Sequence, residues 1–356
     1  MNVADFERLA EAGLEPGAFG YFAGGAGDER VLRENVAAFA RLRLRPRVLV
    51  DVGEASAATT VLGTPVSMPL LVAPTAIQRM AHEEGECGMA RAASAAGTIM
   101  CLSTLATATP AEVAAAAPGA PRWFQLYIFR DRAVTRALVE QAAETGFSAL
   151  VLTVDAPRLG RRERDLRTAF RIPPEIVVPS VAAATGNWIG ATPLDILGQV
   201  DPTLSWHDLE GLVEESPLPV VVKGIQTAED ANLACEYGAA AVVVSNHGGR
   251  QLDDVAATIE LLPEVVEAVA GRIEVLVDGG IRRGSDVVKA LALGARATLA
   301  GRAVLWGLAS AGEQGAQRVL ELLHDEIELA LALCGCAAPD AVTRAHVARA
   351  RGWEPR

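Results

Sequence analysis

The feature that most constrains the fold is a repeated unit in which an alanine-rich helical segment ends at a glycine and a short apolar run follows. Four of these glycines are Gly97, Gly146, Gly238 and Gly294. Because glycine adopts the left-handed conformation at little cost just after a helix, each is expected to mark a turn from helix into strand. The apolar runs lack polar alternation, which is typical of strands buried on both faces of a parallel sheet.

Eight apolar runs repeat along the chain. They are residues 68–73, 98–102, 122–127, 149–154, 219–223, 240–245, 274–278 and 296–300. Helical segments fit between most of them, and Thr109-Pro110-Ala111-Glu112 and Thr227-Ala228-Glu229-Asp230 are clear helix starts. Eight strands alternating with helices predict an α/β protein with a closed (β/α)8 TIM barrel, rather than a doubly wound sheet.

Two segments lie outside the barrel units, and we expect residues 1–356 to form a single domain. Residues 1–66 predict an N-terminal helical extension followed by a Pro/Arg-rich linker, Arg41–Arg47. Residues 157–218 predict a long loop, or lid, after strand four, followed by a helix. Its portion 171–203 holds five prolines and no convincing long helix. Irregular loops of this length usually serve as lids or binding loops.

Composition excludes several classes of protein. With 51% hydrophobic residues the chain can form a large core, and a net charge of −12 argues against nucleic acid or an anionic membrane as partner. No apolar run reaches about 18 residues, and the first residues lack a secretory signal pattern. The five cysteines show no zinc or disulfide spacing. We therefore expect a cytoplasmic protein with free thiols, no metal site and no membrane partner.

The densest polar segment directly follows the apolar run that ends at Val244. It reads Ser245-Asn246-His247-Gly248-Gly249-Arg250-Gln251-Leu252-Asp253. In a barrel of this type the carboxyl ends of the strands carry the chemistry. A histidine and an arginine at such an end supply a possible base and an anion-binding group, and the two glycines let other groups approach the backbone closely.

Polar residues follow the other strands as well. They include Thr75, Ser103, Gln125, Tyr127, Thr153, Asp155, Lys223, Asp278, Arg282 and Arg302. Gly279-Gly280 before Arg282, and Gly301 before Arg302, combine free backbone N–H groups with a guanidinium, which suits a phosphate bound after strands seven and eight. Lys223 is placed to hold negative charge that develops on an electron-accepting ring.

Several segments resemble the FMN-dependent 2-hydroxy acid oxidases and dehydrogenases, a family that includes glycolate oxidase, lactate oxidase and hydroxymandelate oxidase. The resemblance extends from Phe19 to Trp306. It rests on Tyr21-Phe22-Ala23-Gly24-Gly25-Ala26, Ala73-Pro74-Thr75-Ala76, Phe124-Gln125-Leu126-Tyr127, the segment Thr153 to Arg162, Val222-Lys223-Gly224 and the His247 segment. The resemblance implies FMN as the cofactor.

The resemblance also implies roles for individual residues. Those implied to contact FMN are Pro74, Thr75, Ala76, Ser103, Gln125, Thr153, Lys223, Ser245, Gly248, Asp278, Gly279, Gly280, Ile281, Arg282, Gly301 and Arg302. The substrate would contact Tyr21, Tyr127, Arg162, His247 and Arg250, with the two arginines binding its carboxylate. The catalytic residues would be His247 as the base, Asp155 orienting it, and Tyr127.

The substrate and the electron acceptor follow from departures within the resemblance. Leu105 stands where glycolate oxidase-like members carry a tryptophan, which leaves room for a larger or aromatic, mandelate-like side chain. Ala76, and a strand-four loop without a long apolar or basic amphipathic stretch, favour O2 as acceptor. We expect oxidation of an (S)-2-hydroxy acid to the 2-oxo acid, with O2 reduced to H2O2.

Alternatives remain open at this level. The chain could instead be a glycolate or lactate oxidase, a dehydrogenase with another acceptor, or a non-redox FMN-dependent isomerase. A homotetramer is expected because family members commonly form one, and the predicted helix Val319–Leu333 is either an intersubunit surface or the last barrel helix.

Overall fold

The computed structural model describes residues 1–350 and contains a closed barrel of eight parallel strands. The strands are β1 (Leu70–Val72), β2 (Met100–Ser103), β3 (Arg122–Leu126), β4 (Ala149–Thr153), β5 (Val220–Ile225), β6 (Ala241–Val244), β7 (Glu274–Asp278) and β8 (Ala297–Ala300). Each strand pairs with its neighbours in sequence, and β8 closes the barrel against β1. Each predicted run overlaps one strand, so the predicted TIM barrel is confirmed.

Helices surround the barrel in the order that the sequence predicts. They are Gly85–Ala95, Pro110–Ala116, Arg132–Glu144, Trp206–Glu215, Ala228–Glu236, Thr258–Val269, Gly284–Ala292 and Arg302–Leu333. The two predicted helix starts are confirmed, because the Thr109 hydroxyl accepts a hydrogen bond from Glu112 N (3.1 Å) and the Thr227 hydroxyl accepts one from Asp230 N (3.2 Å).

Side chains alternate between two cores along every barrel strand. One set faces the surrounding helices, and the other fills the barrel interior with residues such as Leu71, Trp123, Val243 and Leu276. Because successive side chains point to opposite faces, the next inward positions toward the carboxyl ends can be read directly from the sequence. These positions are polar and line a cavity: Ser103, Gln125, Thr153, Lys223 and Asp278.

A two-stranded hairpin closes the amino-terminal end of the barrel. It is formed by Thr59–Val61 and Thr64–Val66, and Val61 and Val66 belong to the interior core. The hairpin is attached to the starts of β7 and β8, because Leu62 N donates to Glu274 Oε2 (3.0 Å) and Arg296 Nε donates to the Thr60 carbonyl (2.7 Å). The barrel is therefore open for ligands only at its carboxyl-terminal end.

The N-terminal extension contains three helices, Val3–Gly13, Pro16–Ala23 and Arg30–Ala40. The prediction that Arg41–Arg47 is only a linker is wrong, because Leu42–Leu44 form a strand that pairs antiparallel with Val347–Arg349. This partner lies at the opposite end of the described chain, so no local pattern indicated the pairing.

The segment after β4 is an ordered surface segment of short helices. Before Trp206–Glu215 it contains Glu163–Arg167, Pro179–Thr185 and Pro193–Leu197. The expectation that residues 171–203 hold no long helix is confirmed, since the two helices there have seven and five residues. The Ser180 hydroxyl donates to the Thr104 carbonyl (2.7 Å), and Asp201 N donates to the Ile128 carbonyl (2.9 Å). These bonds hold the segment against the ends of β2 and β3.

The last helix, Arg302–Leu333, is broken at Ala311 and Gly312. Gly312 has φ 58°, and Glu313 N, just beyond the break, donates to Glu84 Oε2 (2.6 Å). The predicted helix Val319–Leu333 is the second half of this helix, and the helix as a whole packs on Gly85–Ala95 and Val3–Gly13. No helix within residues 1–350 has the length and apolar character needed to cross a membrane.

Replacing Gly312 with Ala is expected to destabilise the protein by about 2 kcal/mol or more, because φ is positive and the new Cβ would overlap Glu84 Oε2. Gly211 is the matched control: it lies within Trp206–Glu215, and an added Cβ there meets nothing within 4 Å. Gly211→Ala is expected to stabilise by up to about 1 kcal/mol. Denaturant unfolding checks both, and equal stabilities of the two variants would contradict the prediction.

Candidate active site

A cavity of about 1290 Å³, including its open mouth, lies at the carboxyl ends of the strands. It is bounded by the strand ends, the N-terminal helices and the segment after β4. The sequence-predicted site residues on its wall are Tyr21, Pro74, Thr75, Ala76, Ser103, Gln125, Tyr127, Thr153, Arg162, Lys223, His247, Gly248, Arg250, Asp278, Gly279, Gly280, Ile281, Arg282, Gly301 and Arg302. Asp155 and Ser245 lie behind this wall and contact residues that line it.

His247 and Asp155 form a hydrogen-bonded pair at the cavity. His247 Nδ1 lies 2.8 Å from Asp155 Oδ1, and the Asp155 side chain is only 6% exposed. Burial would raise the pKa of Asp155, but the charges of His247 and Lys223 outweigh it and lower the pKa. An ionised Asp155 accepts a hydrogen bond from Nδ1–H, which leaves Nε2 as the ring nitrogen that can take a proton from a ligand. His247 itself lies on the cavity wall.

A buried lysine forms a second charged group at the rim. Lys223 Nζ lies 3.1 Å from Asp278 Oδ2 and donates to the Ser245 hydroxyl (2.9 Å). Burial would lower the pKa of Lys223, but Asp278 and Asp155 outweigh it and raise the pKa. Lys223 is therefore a permanent cation on the cavity wall. Ser245 reaches the cavity only through Lys223 and through His247 N, which donates to its hydroxyl (3.1 Å).

Two guanidiniums converge on the ring of Tyr21. The Cζ atoms of Arg162 and Arg250 lie 5.6 Å and 4.9 Å from its centroid. Arg250 Nη1 donates to the carbonyls of Tyr21 (2.6 Å) and Gly24 (3.0 Å), which fixes the group against the end of the helix Pro16–Ala23. Burial and the nearby charge of Arg162 lower the pKa of Arg250 to about 10. A carboxylate bound between the two cations would offset this repulsion.

Two further guanidiniums line the end of the cavity near β7 and β8. Arg302 donates to the carbonyls of Phe22 (2.8 Å), Gly248 (2.9 Å) and Gly24 (2.7 Å), and burial lowers the pKa of both Arg302 and Arg282. Within residues 1–350 no carboxylate lies within 4.0 Å of these two guanidiniums or of those of Arg162 and Arg250. An excess of unpaired positive charge of this kind favours binding of anionic groups.

Two observations support a fit to a large polar cofactor at this wall. Gln125 Nε2 and Asp278 Oδ1 are buried without a hydrogen-bond partner in the described chain, although both residues line the cavity. Gly280 lines the cavity with φ 87°, and a Cβ there would overlap the Asn35 carbonyl, so this part of the wall accepts only glycine. Free donors, a free acceptor and unpaired guanidiniums suit a ring with polar edges that carries a phosphate.

Tyr127 contributes a phenolic group to the cavity wall. It is buried, and burial together with the charge of Asp155 raises its pKa to about 12. The hydroxyl therefore stays protonated at neutral pH and can donate a hydrogen bond to a bound ligand.

The sequence reasoning missed several residues of the wall. Those from the N-terminal extension are Phe22, Leu32, Asn35 and Val36; those from the segments after β4 and β6 are Leu159, Leu197 and Gln251. Helical periodicity in Arg30–Ala40 could have indicated that Leu32, Asn35 and Val36 share a face. The side chains of Leu159 and Leu197 carry no such signal, because their place depends on how the segment after β4 folds back.

The barrel and its rim define a barrel enzyme suited to an anionic cofactor beside an acid-binding site, and comparison with known proteins agrees. The family model for FMN-dependent dehydrogenase matches residues 10–349. The L-lactate oxidase of Nostoc sp. (strain PCC 7120) is 51% identical over 346 residues, which cover 95% of each chain. A glycolate oxidase of Oryza sativa subsp. indica is 50% identical over 351 residues, 97% of this chain and 95% of that one.

Solved structures of mandelate oxidase have the same fold. A variant with 2-hydroxy-phenylacetamide superposes with a TM-score of 0.91 at 40% identity, and one with (S)-mandelic acid with 0.90 at 41%; each covers 99% of both chains. The chain therefore belongs to the FMN-dependent dehydrogenase family, and its cofactor is FMN. The predicted family and cofactor are confirmed.

Proposed function

We propose that the protein oxidises an (S)-2-hydroxy acid to the 2-oxo acid and passes the electrons to O2, which yields H2O2. The observation that carries this proposal is the convergence of the His247–Asp155 pair with the guanidiniums of Arg162 and Arg250 on one cavity. The cations can bind the substrate carboxylate, and the base can then take a proton from the hydroxyl-bearing part of the substrate next to it.

The two guanidiniums would bind the substrate carboxylate. Planar guanidiniums bind carboxylates bidentately, so they fix both the position and the orientation of the substrate. Arg250 would bind the carboxylate through those of its N–H groups that do not donate to the Tyr21 and Gly24 carbonyls. Tyr127 and Tyr21 would complete the binding of the polar end of the substrate.

His247 would take the substrate proton at Nε2. Asp155 would hold the ring through Nδ1 and stabilise the imidazolium that forms. FMN, when bound, supplies the acceptor for the two electrons. Pro74, Thr75, Ala76, Ser103, Gln125, Thr153 and Lys223 would hold its ring, and Gly279 to Arg282 with Gly301 and Arg302 its phosphate end. Lys223 would add a fixed positive charge at the ring.

We propose a substrate with a larger or aromatic side chain. Leu105, Leu159 and Leu197 give the cavity an apolar section. We expect higher kcat/KM on mandelate than on glycolate, and Leu105→Trp is expected to lower kcat/KM on mandelate about tenfold while glycolate changes less. Steady-state kinetics on both acids, with L-lactate as a third, measures this. A preference of the unaltered protein for glycolate or lactate would instead assign it the activity that its named oxidase relatives carry.

Two simple experiments test the reaction and its acceptor. Anaerobic addition of the hydroxy acid should bleach the yellow protein, and admission of air should restore the colour with release of H2O2. Bleaching without H2O2 would indicate a dehydrogenase with another acceptor, and no bleaching would contradict the proposed function.

The homotetramer, the single domain and the cytoplasmic location stay predictions. Light scattering of the purified protein tests the homotetramer.

A further inference from the structure

Within residues 1–350, no hydrogen bond holds the Arg162 side chain in place. Its Nε atom is buried without a hydrogen-bond partner there, and its guanidinium lies beside the ring of Tyr21. Long side chains have many rotamers, so a functional geometry must come from the surroundings. The position of Arg162 at the cavity is therefore set by the backbone on either side of it.

On the side before Arg162, the backbone is attached to Gln251. Gly160 N donates to Gln251 Oε1 (3.0 Å), and Gln251 Nε2 donates to the carbonyls of Asp155 (3.0 Å) and Arg158 (2.8 Å). Gln251 belongs to the segment that carries His247. This attachment therefore fixes the start of the segment relative to the base.

On the side after Arg162, the backbone is attached to the N-terminal extension through Glu29. Arg164 Nε donates to Glu29 Oε1 (3.0 Å) and Arg164 Nη2 to Glu29 Oε2 (2.6 Å), which is a bidentate ion pair. The same extension also holds the residue just before Arg162, because Gly27 N donates to the Arg161 carbonyl (2.9 Å). Bidentate arginine–carboxylate pairs define orientation as well as distance.

The backbone of Glu29 indicates that this pair is held firmly. Glu29 has φ 59°, a left-handed conformation that costs a non-glycine residue on the order of 1–3 kcal/mol. Its carboxylate also accepts a hydrogen bond from Gly25 N (3.0 Å), and its side chain is 16% exposed. Burial would raise the pKa of Glu29, but Arg164 and Gly25 N outweigh it and lower the pKa.

We propose that Glu29 and Arg164 are positioning residues that fix Arg162 at the carboxylate-binding part of the cavity. The inference rests on the proposed function, since it assumes that Arg162 binds the substrate carboxylate. Neither side chain lines the cavity in the described chain. Their effect on the reaction therefore passes through Arg162.

A double-mutant cycle on the holoenzyme tests the proposal. Arg164→Met is expected to lower kcat/KM for the hydroxy acid about tenfold, mainly through KM, and Arg164→Lys to recover part of the loss. In an Arg162→Met background, Arg164→Met is expected to change kcat/KM less than about twofold, because the residue through which it acts is gone. A tenfold loss in both backgrounds would overturn the proposal.

Arg167→Met is the matched control. It removes the same charge from the same short helix, but Arg167 is 69% exposed, and among residues 1–350 it pairs only with Glu163 at the surface. We expect its kcat/KM to stay within about twofold of the unaltered protein, as for other exposed ion pairs. A loss equal to that of Arg164→Met would overturn the proposal, because it would show that any charge on this helix matters.

Hydrogen exchange separates this inference from the proposed function. In the FMN-loaded protein without substrate, Arg164→Met is expected to speed amide exchange in residues 158–168 several-fold, and Arg167→Met is not. If the unaltered protein oxidises no 2-hydroxy acid, the proposed function fails, but faster exchange still supports the positioning role. Unchanged exchange in Arg164→Met overturns that role whatever the activity.

Discussion

Replacing His247 with Gln is expected to lower kcat by about 10²- to 10⁴-fold while the protein keeps its FMN. The reason is that His247 is the group at the cavity with a free proton-accepting nitrogen and a buried carboxylate behind it. Glutamine fills a similar volume but cannot take the proton. The substitution does not alter the hydrogen bond that the backbone N of residue 247 donates to the Ser245 hydroxyl, so we expect the surrounding loop to be retained.

Rapid mixing under anaerobic conditions is the decisive measurement for His247→Gln, since it follows the bleaching of the protein in a single turnover. Asp155→Asn serves as a graded control. It keeps the shape but removes the charge that holds the Nδ1 proton, so a smaller loss than for His247→Gln is expected. Bleaching of His247→Gln at the normal rate would refute the assignment of the base.

Lys223→Met is expected to cause the largest loss of stability, about 3–5 kcal/mol, because it leaves the buried Asp278 carboxylate without its cation. The Lys223 and Asp278 side chains are 5% and 9% exposed, and Asp278 Oδ1 already lacks a partner in the described chain. The variant should also purify with little FMN, because the cavity wall loses a buried cation.

The double variant Lys223→Met, Asp278→Leu separates these two effects. Since it removes both charges, it is expected to regain most of the stability, as replacement of a buried ion pair by apolar groups often does. It should not regain FMN. Thermal denaturation measures the stability, and the absorbance of released FMN measures the bound cofactor. Unchanged stability of Lys223→Met would contradict the prediction.

The barrel strands and the rim could be predicted from the sequence for one physical reason. Strands buried on both faces must be apolar, so any polar residue at the end of such a run marks the rim. Lys223 shows this well: it follows Val220-Val221-Val222 and occupies the next inward position after Val221. His247 was predictable in the same way from its place after β6.

The attachment of the N-terminal extension could not be predicted, because it depends on partners more than 130 residues away. Asp253 stands in the polar segment after β6, and the sequence offered no role for it. The structure shows its carboxylate accepting hydrogen bonds from Val31 N (2.9 Å) and Asp28 N (3.0 Å), at the start of the helix Arg30–Ala40. Likewise, neither the sequence around Arg302 nor the sequence around Phe22 and Gly24 indicates that the Arg302 guanidinium donates to these two carbonyls.

The contacts of the N-terminal extension set an order of events during synthesis. Tyr21 and Phe22 leave the ribosome early, but the guanidinium of Arg302 that holds the Phe22 carbonyl follows 280 residues later. Until then the first helices lack part of their docking surface, because the helix Val3–Gly13 packs on Arg302–Leu333 and its apolar face stays exposed. Contacts of such long range slow folding and lengthen the exposure to aggregation. The nascent chain is therefore expected to need a chaperone until β8 has emerged, and a shortened chain that stops before Arg302 should accumulate as insoluble protein.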